Sequence, residues 1–183
     1  MEAGAYTIDQ DKAPHERRRN FGVSATVSYA LPSGSTLYSI TAWRYAWALN
    51  FQDNDLGPRD YYWIDWHDWQ HQFSEELRLE SPSGQRLTYS GGFYYFQSHA
   101  VSTHTDLAGA AFAQLIGVTS TDSGYVSPDG TVDTRSYAGY GNMKYQLTSR
   151  VALSGGVRFT YERKSIDFRQ RASGLGIFFG YPI

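Results

Sequence analysis

The segment Trp63-Ile64-Asp65-Trp66-His67-Asp68-Trp69-Gln70-His71 is the densest gathering of imidazoles, carboxylates and indoles in the chain. On a strand, Asp65, His67 and His71 share one face, a donor set suited to a divalent metal. Alternate residues on a strand lie about 7 Å apart, so His67 and His71 cannot chelate one ion unaided. The segment reads better as a strand end whose rings sit at an aqueous boundary, with Trp63, Trp66, His67 and Trp69 as candidate ligand contacts. No metal site is expected there, nor at His99 and His104. The carboxylate pairs Glu75/Glu76 and Asp65/Asp68 could move protons. No nucleophile elbow, phosphate loop or zinc signature stands beside them. Gly91-Gly92 and Gly155-Gly156 precede no helix start, so they read as strand glycines that relieve crowding or allow a bend. The expectation is a protein that is not an enzyme, with no catalytic residue and no cofactor.

Charge and composition narrow the class further. The chain has no cysteine, which removes disulfides, thiol nucleophiles and thiolate metal sites. A formal charge of −2 leaves no basic footprint for nucleic acid, and Arg17-Arg18-Arg19 is too short and isolated to supply one. No apolar run approaches the length of a membrane helix. Strands of a membrane barrel escape that test, because half of their residues face a polar lumen. Aromatic residues make up 16% of the chain, enough to furnish interfacial girdles. Met1-Glu2-Ala3-Gly4 shows no basic segment before an apolar core, so no signal peptide is expected in these residues.

Strict alternation supplies the elements that position these groups. From Asn20 to Leu31, Phe21, Val23, Ala25, Val27, Tyr29 and Leu31 alternate with small or polar residues, which predicts a strand with one apolar face. The turn Pro32-Ser33-Gly34-Ser35 joins it to a second strand over Thr36–Phe51. A second hairpin alternates Phe73, Leu77 and Leu79 with Glu76, Arg78 and Glu80, turns at Ser81-Pro82-Ser83-Gly84-Gln85, and continues through Leu87, Tyr89, Phe93 and Tyr95. A third runs Thr134–Leu147, turns at Thr148-Ser149-Arg150, and returns over Val151–Lys164. Long connections are expected at 52–61, 97–133 and 165–183, with a short helix over Ala108–Leu115. Short turns at one end and long loops at the other are the pattern of an outer-membrane β-barrel.

Three stretches carry a family resemblance. Phe73-Ser74-Glu75-Glu76-Leu77-Arg78-Leu79-Glu80-Ser81-Pro82 followed by Gly91-Gly92-Phe93-Tyr94-Tyr95-Phe96 resembles the barrel of TonB-dependent receptors. Thr36-Leu37-Tyr38-Ser39-Ile40-Thr41-Ala42-Trp43-Arg44 is similar to that family's Leu-x-Ser-Ile-Thr-x-Tyr-Arg strand. Ser136-Tyr137-Ala138, Tyr145-Gln146-Leu147-Thr148 and Leu153-Ser154-Gly155-Gly156-Val157-Arg158-Phe159-Thr160 match a third recurrent hairpin. The matches keep the family's order over roughly residues 20–164, with Glu75 standing where the family usually has Gln. The energy-coupling box, the plug domain and an aromatic-terminated last strand have no counterpart, since the chain ends Tyr181-Pro182-Ile183.

The expected architecture is therefore all-β. Residues 1–183 read as one partial barrel region of about six antiparallel strands in three hairpins, within about 20–164. Six strands fall short of the ~8 of the smallest closed barrel, so the sheet should be open. Val23, Val27, Leu77, Leu79, Phe93, Val157 and Phe159 should share the lipid side, and Glu76, Arg78, Glu80, Arg158 and Glu162 the lumen side. The resemblance implies an interior section of an outer-membrane receptor for energy-coupled uptake of a scarce nutrient such as a ferric siderophore. Its implied partners are outer-membrane lipid, the cargo, and the TonB complex through a plug outside this chain. Two alternatives stand beside it: another outer-membrane barrel such as a porin, and a soluble carbohydrate-binding β-sandwich whose Trp and Tyr rings stack on sugars.

Overall fold

The computed structural model describes residues 9–117 and 124–174. Its strands are β1 His15–Ala30, β2 Thr36–Asp53, β3 Tyr62–Glu80, β4 Leu87–Ala108, β5 Gly124–Gln146 and β6 Ala152–Ser173, with a one-turn-and-a-half helix α1 Ala110–Leu115 between β4 and β5. They form one antiparallel sheet in sequence order, β1-β2-β3-β4-β5-β6. Each strand pairs only with its chain neighbours, so β1 and β6 leave the sheet open at both edges. The expected all-β, six-stranded open sheet is what the chain adopts.

The hairpin turns need little chain because two of them use glycine in the left-handed region, Gly34 at φ 83° and Gly84 at φ 77°. All three turns lie at one end of the sheet. At the other end, the β2–β3 connection and α1 are tied together: the Gly109 and Ala111 N–H groups donate to the Tyr61 and Asp60 carbonyls at 2.9 and 3.2 Å.

Two expected loops are shorter than the sequence indicates. The segment 97–133 is mostly strand, because β4 continues to Ala108 and β5 begins at Gly124. Its rungs include His99↔Asp133 and Ser102↔Gly130. The segment 165–183 likewise begins as strand, with β6 running to Ser173. The physical reason is the same in both places. Polar side chains occupy both faces there, which erases the period-two signal, while the main-chain ladder needs only a paired neighbour. The β2–β3 connection shortens by less, to 54–61, and the expected helix appears as α1. The chain's first residues, Met1-Glu2-Ala3-Gly4, and its last, Tyr181-Pro182-Ile183, lie outside the described residues.

Register fixes the two faces. One cross-strand row reads Val27, Ser39, Leu77, Phe93, Gly139, Phe159, and the next towards the turns reads Tyr29, Leu37, Leu79, Gly91, Gly141, Val157. The opposite face carries Ser28, Tyr38, Arg78, Gly92, Tyr140, Arg158 in one row. The apolar row therefore shares one side and Glu76, Arg78, Glu80, Arg158 and Glu162 the other, as the alternation requires. The apolar face is bare: Phe93, Val157 and Phe159 are 73%, 76% and 75% exposed.

Aromatic rings bound that bare band on both sides. Towards the long connections lie Phe21, Trp43, Tyr45, Phe73, Tyr95, Tyr137 and Tyr161, several in ring contact, as in Phe73–Tyr95 and Tyr95–Tyr137 at 6.2 and 5.1 Å. Towards the turns lie Tyr29, Tyr89 and Tyr145. On β6 the band runs from Leu153 to Tyr161 and on β1 from Phe21 to Tyr29. Each segment matches the ~9–11 residues of a barrel strand that crosses a bilayer. The band drifts along the strands from β6 to β1, as tilted barrel strands require. Buried apolar residues are confined to Ile64, Ala108, Ala113, Val126 and Ala138 among the described residues. Among the described residues the water-excluded packing amounts to a small cluster, Ala108 and Ala113 with Phe112 against them, and not to a core under the sheet.

Candidate functional site

The end of the sheet that carries the long connections gathers the side chains capable of recognition. Strand length puts them there: β4 at 22 residues and β5 at 23 run well past the apolar band. On the same face as Glu76, Tyr62 donates its hydroxyl to Asp106 Oδ1 at 2.8 Å. Burial, followed by that bond and the Asp106 charge, pushes the Tyr62 phenol well above its ordinary range, so it stays a donor at physiological pH. Asp106 also approaches His104 Nε2 at 3.2 Å, and the His104 ring lies 5.0 Å from the Trp66 indole.

Beside this group is a recess of about 690 Å³ lined by Tyr61, Tyr62, Asp106, Phe112, Tyr125 and Phe168, among others. That volume falls in the range of small-molecule sites, and aromatic walls with a few convergent polar groups are their usual lining. The Gln170 side chain also lines it, and its amide nitrogen is buried without a hydrogen-bond partner. An unused donor inside an aromatic recess is a ready contact for an oxygen-bearing ligand.

The four residues singled out from sequence divide between the faces. Trp66 lies with Tyr62 and Asp106, since the alternation from Tyr62 to Trp66 keeps them on one side. Trp63, His67 and Trp69 lie on the opposite face. Trp63 packs on Phe51 at 5.1 Å with the Lys12 ammonium 5.4 Å from its ring. His67 is exposed and pairs with Asp65 at 3.3 Å. Trp69 joins His71 and His99, with ring centroids at 5.8 and 5.1 Å. His99 Nδ1 in turn meets Asp133 at 2.7 Å. No three imidazole or carboxylate groups converge on a metal-binding point among the described residues.

Tyr62, Asp106, Phe168 and Gln170 were not legible as site residues. Three of them lie in segments read as loop, where alternation fails. A usable trace remains in Phe168 and Gln170, which alternate with Arg169 and Arg171.

A second polar cluster sits on the same face as Tyr62 but near the turns. Tyr140 donates to Glu76, Arg78 approaches Glu76 and Glu80 at 3.5 and 3.0 Å, and the Arg158 guanidinium lies 5.7 and 5.9 Å from the Tyr94 and Tyr140 rings. These contacts run across four strands, and interlocked polar groups of this kind keep a polar wall ordered. At the loop end, burial raises the Asp53 carboxyl above its ordinary value, with Asp55 and Asp11 adding to the shift.

The fold is similar to the crystal structure of the ferric yersiniabactin uptake receptor FyuA from Yersinia pestis, with TM-score 0.63 and 18% identity over 89% of this chain. The chain spans 23% of that receptor's length. The NanC porin structure aligns at TM-score 0.16 and 7% identity, over 85% of this chain and 98% of that one, a value that carries no argument. No protein-family model and no curated protein matches the chain. In fold, residues 9–117 and 124–174 are an open six-stranded section of a β-barrel, similar to part of the FyuA structure.

Proposed function

We propose that the chain is a section of the barrel of an outer-membrane TonB-dependent receptor, serving energy-coupled uptake of a scarce nutrient of the ferric-siderophore class. The observation that carries this reading is the bare apolar band bounded by aromatic rings, on a sheet whose described residues bury only a few small apolar side chains. Exposed apolar surface of that extent needs a cover, and hydrocarbon between two aromatic girdles supplies one. The charged opposite face then lines the lumen, and the long-connection end faces the cell exterior. The likeness in fold to a ferric yersiniabactin uptake receptor supports the transport class. In this reading the recess at Tyr62, Asp106, Phe168 and Gln170 contributes cargo contacts, and TonB acts through a plug enclosed by the full barrel. The chain has no catalytic role.

A soluble carbohydrate-binding sandwich would stack two sheets over a shared core; the described residues form one. A porin remains the competing barrel, and energy dependence separates the two. The test is uptake of radiolabelled ferric siderophores by iron-starved cells carrying or lacking the full gene. Uptake should fall on deletion, collapse with a protonophore, and return with the gene. Recovery of the protein in the soluble fraction, or passive uptake indifferent to the protonophore, would sink the receptor reading.

A further inference from the structure

Two histidines meet across strands beyond the apolar band. His71 on β3 and His99 on β4 are direct partners in register, and Asp133 on β5 is in turn the partner of His99, so the three form one row. Side chains directly opposed on one face have Cβ atoms about 4.5–5.5 Å apart. Spacing along one strand keeps His67 and His71 from sharing an ion, whereas register gives His71 a second imidazole within reach. The His71 and His99 ring centres stand 5.3 Å apart, with their planes 31° from parallel. An imidazole bonds zinc at about 2.0–2.1 Å, so two rings on one tetrahedral ion have centres about 5 Å apart. Rotation about χ2, a broad torsion, is enough to aim both rings at one point. The partners of the rings are equally specific. His99 Nδ1 donates to Asp133 Oδ1 at 2.7 Å, which leaves the Nε2 lone pair free. A carboxylate behind the far nitrogen is the usual support of a metal-ligating histidine. His71 makes no hydrogen bond or ion pair among the described residues. The Trp69 ring flanks both, at 5.8 and 5.1 Å. One rung nearer the band, Arg135 faces Arg163 across β5 and β6, and their charges oppose a cation, so the Asp133 carboxylate matters all the more.

We propose that His71 and His99 form a two-imidazole site for a divalent transition metal, of which zinc is the type, with Asp133 as a positioning residue. Imidazole nitrogen suits zinc, copper and nickel, while calcium and magnesium call for oxygen ligands. No third imidazole or carboxylate converges on this point among the described residues, so water or an outside donor completes the coordination. The His99 side chain is 27% exposed, which leaves the site open to such a donor. An ion held there ties β3 to β4 beyond the apolar band. The inference goes beyond the receptor reading and does not rest on it, because register and ring contacts belong to the sheet itself.

The experiment uses the full gene product that carries these residues, in mild detergent and stripped of metal by a chelator. Cu2+, which binds nitrogen sites more tightly than Zn2+, is the paramagnetic probe. Pulsed electron paramagnetic resonance counts the imidazoles on the bound ion. Wild type should show Cu2+ held by two imidazoles, displaced by Zn2+ and untouched by Ca2+ or Mg2+ in about a hundredfold excess. H71Q and H99Q should each cut the count to one and weaken binding by at least about tenfold. D133N should keep both imidazoles but weaken binding by about tenfold, and D133E should recover most of that loss. H15Q, on β1, should match wild type. Heat-modified mobility checks that each variant is folded. Copper-catalysed oxidation of wild type by ascorbate, mapped by mass spectrometry, reads the ligands without any variant, and should mark His71 and His99. A wild type in which no Cu2+ has two imidazole ligands overturns the proposal. Oxidation confined to other histidines, or an unchanged signal in H71Q and H99Q, places the metal elsewhere and overturns it as well. Wild-type affinity in D133N overturns the role given to Asp133. None of these outcomes touches the receptor reading, which uptake decides.

Discussion

Tyr140 on β5 donates its hydroxyl to Glu76 on β3, crossing β4 at the point where Gly92 sits between Arg78 and Tyr140 in the register. A Cβ at Gly92 would fall into the Leu77 carbonyl and press on the Arg78 backbone. The close approach of β3 and β4 therefore depends on glycine there. Tyr140→Phe should cost about 1.5–3 kcal/mol, the usual worth of a hydrogen bond to a charged group. Gly92→Ala should cost about 1–3 kcal/mol through forced backbone movement. Heat-modified electrophoretic mobility of the folded barrel in detergent measures both, and a Gly92→Ala barrel as stable as wild type would contradict the close approach.

Glu75 lies on the band's face, where Ser39 Oγ donates at 2.8 Å to one carboxylate oxygen and Thr41 Oγ1 donates to the other. Two hydroxyls from the neighbouring strand thus hold a carboxylate at the margin of an apolar surface. Glu75→Gln keeps an acceptor and should change stability by less than about 1 kcal/mol. Ser39→Ala with Thr41→Val strands the carboxylate and should cost about 1–3 kcal/mol. If the pair of hydroxyl deletions proves harmless, the two contacts contribute nothing.

The chain alone should aggregate in water. It exposes Phe93, Val157 and Phe159 on one face and leaves β1 and β6 unpaired at the edges. Detergent or lipid should give a strand-rich circular dichroism spectrum and a dispersed species in sedimentation. A monodisperse monomer melting cooperatively without detergent would refute the membrane assignment of that face.

Asp53 sets a pH dependence at the loop end. It is 3% exposed, and burial, then Asp55 and Asp11, raise its carboxyl above the ordinary value. A raised folded-state value means that the neutral form is favoured by folding. Its contribution is complete below the unfolded carboxyl value and is lost as pH rises through the folded one. Asp53→Asn should therefore flatten the acid side of the stability profile and leave the protein more stable than wild type at neutral pH. Melting of both proteins in detergent from acid to neutral pH decides it, and parallel profiles would remove Asp53 as the cause.

Local pattern determined the strands that cross the apolar band. Val23 and Val27, or Leu77 and Leu79, face one side against polar neighbours because one side of the pleat must be apolar and the other wet, and a period of two records that in the chain itself. The turns were legible for a similar reason, since Gly34 and Gly84 adopt backbone angles that other residues resist. Beyond the band both faces are polar, so residues 97–108, 124–133 and 165–173 carry no such record, and only pairing with adjacent strands makes them β-structure. The site followed the same division. The indoles of Trp63, Trp66 and Trp69 marked the right end of the sheet, but their distribution over two faces needed the register. The Tyr62–Asp106 bond, the recess against Phe168 and Gln170, and the opposition of Arg135 to Arg163 join residues 28 to 108 positions apart in sequence. Contacts of that kind exist only once neighbouring strands have chosen their register.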